Sequence, residues 1–277
     1  MKSTVLTLAG AACLLAAPAL AADGVLIVQK MTMGASPAQT QQIQIEPRRM
    51  RMEAGAMRGG GPQVVVFDGT RDVLLMIDDA NKTYSEMSKA DVDALSSQMS
   101  GAMAQMQDAM KNMPPEQRAQ IEAAMRGRGM GGAPAGGAAA APKVQYKKTG
   151  TDTVGKWTCD KYEGYTGTQK TSEVCTVDPK VLGFTAADFA VTKDLAAFFQ
   201  KLMPGAMASR TFRIGTPEDQ GYSGVPVRTV TTVGTQTVTQ EITDVRRESF
   251  ADSIFQAPAG YKKQDSPFGR GRRGGGD

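Results

Sequence analysis

Short runs in which apolar and polar residues alternate occupy both ends of the chain, and stretches at helical spacing interrupt them. Val25–Met33 is a β-rich run that predicts a first strand, with Met31 and Met33 on one face. Gln39–Ile45 alternates, placing Gln41, Ile43 and Ile45 together. In Arg49–Ala54, Met50 and Met52 point one way and Arg49, Arg51 and Glu53 the other. Period-2 alternation of this kind marks a half-buried antiparallel strand. Gln63–Phe67, Asp72–Ile77 and Lys82–Met87 follow, the last two separated by the turn Asp78-Asp79-Ala80-Asn81. The spacing is that of a meander of short strands, not of alternating strands and helices.

From Asp91 the period changes. Val92, Leu95, Met99, Met103, Met106, Met110 and Met113 recur at steps of three and four, which predicts an amphipathic helix with Ser88 as its N-cap. Pro114-Pro115-Glu116 stops it and opens a second helix running to about Met125. Gly127–Pro142 is an Ala/Gly/Pro tract without apolar bulk, and reads as a flexible linker. Strands resume at Val144-Gln145-Tyr146, Lys156–Tyr165 and Thr168–Val177. Thr185–Met203 is helical, with Leu195, Phe198, Phe199 and Leu202 on one face, and Pro204-Gly205 ends it. Ser209–Ile214, Val225–Val233 and Thr235–Val245 are strands, Phe255–Tyr261 closes the domain, and residues 264–277 form a basic Gly/Arg tail.

The first residues change the picture of where this chain resides. Lys2, an apolar run from Val5 to Leu15, then Pro18 and the triplet Ala19-Leu20-Ala21 form a secretory signal over residues 1–21, with cleavage expected before Ala22. The apolar run is too short for a spanning helix, which needs roughly 20 residues. Cys13 sits inside that run, away from the cleavage site, so a soluble periplasmic or secreted protein is expected rather than a lipoprotein. Two cysteines then remain, Cys159 and Cys175, and an even count in an exported chain reads as a disulfide between neighbouring strands. A redox or metal pair would need closer spacing or further ligands.

Charge and residue types narrow the chemistry. The chain carries 32 Lys+Arg against 28 Asp+Glu and no histidine. The near balance argues against a nucleic-acid binder. Without histidine there is no Ser-His-Asp or Cys-His device and no imidazole metal site. Asp78, Asp79 and Asp108 are available carboxylates, but no pair is fixed on one face by its spacing. No catalytic residue, metal site or cofactor is assigned. Met pairs such as Met31/Met33 and Met50/Met52 have the softness for Cu(I), a minor alternative to their filling a core or lining an apolar groove.

Several segments together carry a likeness. They are the Arg48–Glu53 strand, the return Asn81-Lys82-Thr83-Tyr84-Ser85-Glu86-Met87, Trp157-Thr158-Cys159-Asp160-Lys161-Tyr162-Glu163-Gly164, and the Phe255–Tyr261 closing motif. With an exported start, the chain resembles the DUF4412 family of bacterial exported proteins and the wider LolA/LolB-like superfamily of periplasmic lipoprotein carriers. The resemblance implies an α+β fold over residues 22–263: a strongly curved antiparallel sheet, an open half-barrel, with helices over its concave face and an insertion at about 89–142. The apolar groove expected between the layers takes in Met31, Met33, Met50, Met52, Val64, Val66, Leu75, Met99, Met103, Met106, Met110, Leu195, Phe198, Phe199 and Leu202. A non-enzymatic binding protein is expected, holding a lipid or acyl chain there. The alternative is an envelope protein-interaction or stress-sensing scaffold with the groove filled by its own side chains.

Overall fold

A computed structural model of the protein describes residues 24–54, 63–111, 114, 144–202 and 221–265. The signal segment with its cleavage site, the second helix to Met125, the Ala/Gly/Pro tract, the strand at 209–214 and the last twelve residues lie outside the described residues. Eleven strands form an open antiparallel array, and a short twelfth joins one edge in parallel. They are β1 (Gly24–Met33), β2 (Gln39–Ile45), β3 (Arg49–Ala54), β4 (Gln63–Asp68), β5 (Val73–Asp78), β6 (Thr83–Ser88), β7 (Gln145–Val154), β8 (Trp157–Thr166), β9 (Gln169–Val177), β10 (Val225–Val233), β11 (Gln236–Glu248) and β12 (Lys262–Gln264). Their order across the sheet is β12-β6-β5-β4-β3-β2-β1-β11-β10-β9-β8-β7. Two meanders, β1–β6 and β7–β11, therefore meet at the β1–β11 pair in mid-sheet.

Among the described residues two α-helices accompany the sheet, α1 (Lys89–Lys111) and α2 (Ala190–Leu202). α1 begins with a reciprocal cap: the Asp91 amide donates to Ser88 Oγ at 3.3 Å, and the Ser88 amide donates to Asp91 Oδ2 at 2.8 Å. These bonds satisfy two donors that a helix start otherwise leaves open. α2 follows a 3₁₀ turn, Ala186–Phe189, capped in the same manner by Thr185 and Asp188. β7 extends to Val154, well past the Tyr146 expected from sequence, because Lys147–Thr153 is a polar, exposed edge with no apolar alternation to betray it.

Both faces of the sheet are buried in part. The concave face carries the principal core under α2. On the outer face, the segment after β11 folds back across β3–β6, burying Phe255 against Val64, Val66, Val73, Leu75 and Ile77. The Arg49 guanidinium lies 4.5 Å from the centre of the Phe255 ring and pairs with Asp252 at 2.7 Å. Tyr261 then donates to Asp79 at 3.0 Å, and β12 pairs with β6. Gly24 is required by this return, since a Cβ there would stand 2.5 Å from the Phe250 ring.

Cys159 and Cys175 form a disulfide across β8 and β9, with Cα atoms 5.5 Å apart. Replacing both with alanine should cost about 3 kcal/mol, the loop-closure entropy restored to the unfolded chain. Urea denaturation of the double variant beside the oxidised protein measures it, and an unchanged midpoint would refute it.

Candidate functional site

Strand pairing sorts the concave face into rows, because residues opposite one another on paired strands share a side of the sheet. The first row runs Val25, Ile45, Met50, Phe67, Leu74 and Met87. All six are buried, and α2 lies over them with Val191, Leu195, Phe198 and Phe199. Phe198 meets Phe67 edge-on at 5.6 Å and Phe199 at 6.0 Å. The space between this row and α2 is thus filled by side chains.

The second row runs Val245, Ile27, Ile43, Met52, Val65 and Met76. Ile27 and Ile43 are buried, while Met52, Val65 and Met76 are only half-buried. At about 4.8 Å per strand the row spans about 24 Å across the sheet. Beyond it the chemistry turns to amides. Gln29 and Gln41 stand opposite each other, with Gln29 Nε2 donating to Gln41 Oε1 at 3.1 Å. Gln240, Met31 and Gln39 follow.

Several expected groove residues therefore sit elsewhere. Val64, Val66 and Leu75 belong to the outer face beneath Phe255, and the concave positions on their strands are Val65, Phe67, Leu74 and Met76. Sequence reasoning missed these four because β4 and β5 are apolar on both faces, so alternation gives no phase. Met31 and Met33 lie past the amide row, and Met33 is 49% exposed. Met50, Met52, Leu195, Phe198 and Phe199 are on the concave side. The side chains of Met99, Met103, Met106, Met110 and Leu202 lie outside the described residues.

Electrostatics hold the rim of the site. Asp188, 3% exposed, receives Arg247 through both oxygens at 2.8 and 2.6 Å, and the Thr185 amide and hydroxyl as well. Burial pushes its carboxyl upward, but the Arg247 and Thr185 donors outweigh this and hold it below the usual carboxylate range. At the start of α1 a cavity of about 120 Å³ opens over Val92 and Phe198, ringed by Asp72, Lys89, Asp194 and Lys201. At the β7–β10 end Arg228, Asp152, Glu173, Lys161, Lys170 and Glu163 form a chain of ion pairs. Among the described residues no group of three or more Cys, Asp or Glu is placed to hold a metal, and no helix is long and apolar enough to cross a membrane.

The family described as "Domain of unknown function (DUF4412)" matches residues 94–261, more than half of the chain. The chain belongs to the DUF4412 family. No curated protein matches the sequence. Among solved structures, this member of the family is similar to an uncharacterized conserved protein from Thermus thermophilus, at 8% identity and a TM-score of 0.42, over 88% of this chain and 91% of that one. It is also similar to a LolA superfamily protein from Nitrosomonas europaea, at 8% identity and a TM-score of 0.26, over 84% and 89% of the two chains. LprF from Mycobacterium bovis matches at 10% identity and a TM-score of 0.28, over 78% and 83%. The open sheet with its helical layer stands on this chain's own strand pairing.

Proposed function

We propose that the protein is a non-enzymatic binding protein of the cell envelope, and that its ligand is an apolar chain lying along the second concave row. The observation that carries this reading is the half-buried run of Met52, Val65 and Met76, between the filled space under α2 and the amides of Gln29 and Gln41. A stripe of that kind shields methylene groups on one side and offers hydrogen bonds on the other. The Cys159–Cys175 bond and the N-terminal signal pattern support an exported protein.

Native mass spectrometry of protein purified from its own envelope should show a lipid-sized adduct. Val65→Gln should weaken binding of that lipid about tenfold, by removing one branched apolar contact from the row. The conservative Met52→Leu should leave binding intact. Adduct-free protein, or equal binding by Val65→Gln, would refute the reading. A second reading, a protein-interaction scaffold, is favoured by one observation: Phe198 and Phe199 fill the space over the first row. On that reading the purified protein is lipid-free.

A further inference from the structure

The hairpin between β5 and β6 ends in a turn that the fold leaves bare. Asp78 and Thr83 pair across its base, and Asp79, Ala80, Asn81 and Lys82 between them are all exposed. Asn81 is one of two asparagines in the chain, and the other, Asn112, is followed by Met113-Pro114. Only Asn81 opens an Asn-x-Ser/Thr triplet, Asn81-Lys82-Thr83, with a residue other than proline in the middle. That triplet is the acceptor pattern for N-linked glycans, and it acts as one on the surface of an exported chain.

The turn fixes how the triplet is presented. The Asn81 backbone amide donates to Asp78 Oδ1 at 3.0 Å, and Asn81 Nδ2 donates to Asp78 Oδ2 at 2.7 Å. One Nδ2 hydrogen is thus held by a carboxylate, and the second has no partner among the described residues. Lys82 takes a φ of +50°, which bends the backbone between the asparagine and the threonine. Asp79, two places before Asn81, accepts from the Tyr261 hydroxyl at 3.0 Å, and the Lys82 carbonyl accepts the Lys262 amide at 3.0 Å. Both contacts come from the segment that returns to the sheet edge, and Asn81 stays exposed beside them.

We propose that Asn81 is a site of N-linked glycosylation. The donor class is an oligosaccharide carried on a polyprenyl diphosphate, and the partner is a membrane-bound transferase that meets the exported chain. In the transfer, Asn81 Nδ2 forms a bond to the anomeric carbon of the first sugar. The bond from that carbon to the diphosphate oxygen breaks, and the diphosphate leaves with the electron pair. One Nδ2 proton passes to a base of the transferase, and nothing is oxidised or reduced. Thr83 supplies the hydroxyl that the transferase reads, and Asp79 places a negative charge beside it. The glycan stands at the sheet edge where β12 covers β6 with three residues. A bulky hydrated chain there hinders edge-to-edge pairing with other molecules.

The test is mass spectrometry of the full chain purified from its own envelope. An oligosaccharide mass is expected on the peptide that carries Asn81, located by electron-transfer fragmentation. Thr83→Ser should keep the glycan, whereas Asn81→Gln and Thr83→Val should lose it, with the urea midpoint of the unglycosylated protein unchanged in all three. Asp79→Asn should lower occupancy severalfold. A chain beginning at Ala22, read from the same sample, establishes that the protein was exported. Unmodified Asn81 in that chain would overturn the inference, as would a glycan that persists in Thr83→Val. Retention of residues 1–21 would overturn it as well, since it keeps Asn81 out of the transferase's reach.

Discussion

Phe255→Ala is expected to destabilise the protein by about 4 kcal/mol. Phe255 is 1% exposed and forms the centre of the outer cluster, with Arg49 over its ring. Its loss opens a cavity over four strands and frees Arg51 from the Ile254 carbonyl, to which it donates at 3.3 Å. Urea denaturation should show the lowered midpoint, and hydrogen exchange should show lost protection at Lys262–Gln264. A change below about 1 kcal/mol would mean that the returning segment is not part of the cooperative fold.

Asp188→Ala should cost about 3 kcal/mol, since it removes the charge-assisted bonds that Arg247 donates to it and the cap that precedes α2. The same carboxylate predicts an acid limb. Its folded-state titration is depressed, so its contribution is fully present above the ordinary aspartate range and is lost as pH falls through the depressed value. Asp188→Asn should flatten the stability profile of the native protein in that window. Parallel acid limbs in the two proteins would sink the assignment, as would an undiminished midpoint in Asp188→Ala at neutral pH.

How far the sequence could be read depended on contrast between faces. Arg49–Ala54 alternates Arg, Met, Arg, Met, Glu, so its register and its inward side are plain, and the structure places Met50 and Met52 as read. Gln63–Asp68 and Val73–Asp78 carry valine, leucine and isoleucine on both sides, and one residue of slip exchanges the faces. What broke the tie was Phe255, a contact across almost two hundred residues that no local window contains. Lys147–Thr153 failed for the opposite reason, being polar on both sides as befits an edge strand. The cysteine pair was legible because only Cys159 and Cys175 remain once the signal segment with Cys13 is set aside, an even count in an exported chain. The row of Met52, Val65 and Met76 was half legible: Met52 by alternation, and the other two only once pairing was known.

The position of β1 sets the order in which this protein can be made. β1 leaves one edge to β2 soon after synthesis, but its other edge waits for β11, residues 236–248. Until nearly the whole chain has emerged, the first meander carries an open strand of apolar residues, Val25, Leu26 and Ile27 among them. Strand edges in that condition recruit neighbouring chains. A chain truncated before β11 should accordingly aggregate rather than persist as a folded half, while completion of the last long strand seals both meanders in a single event.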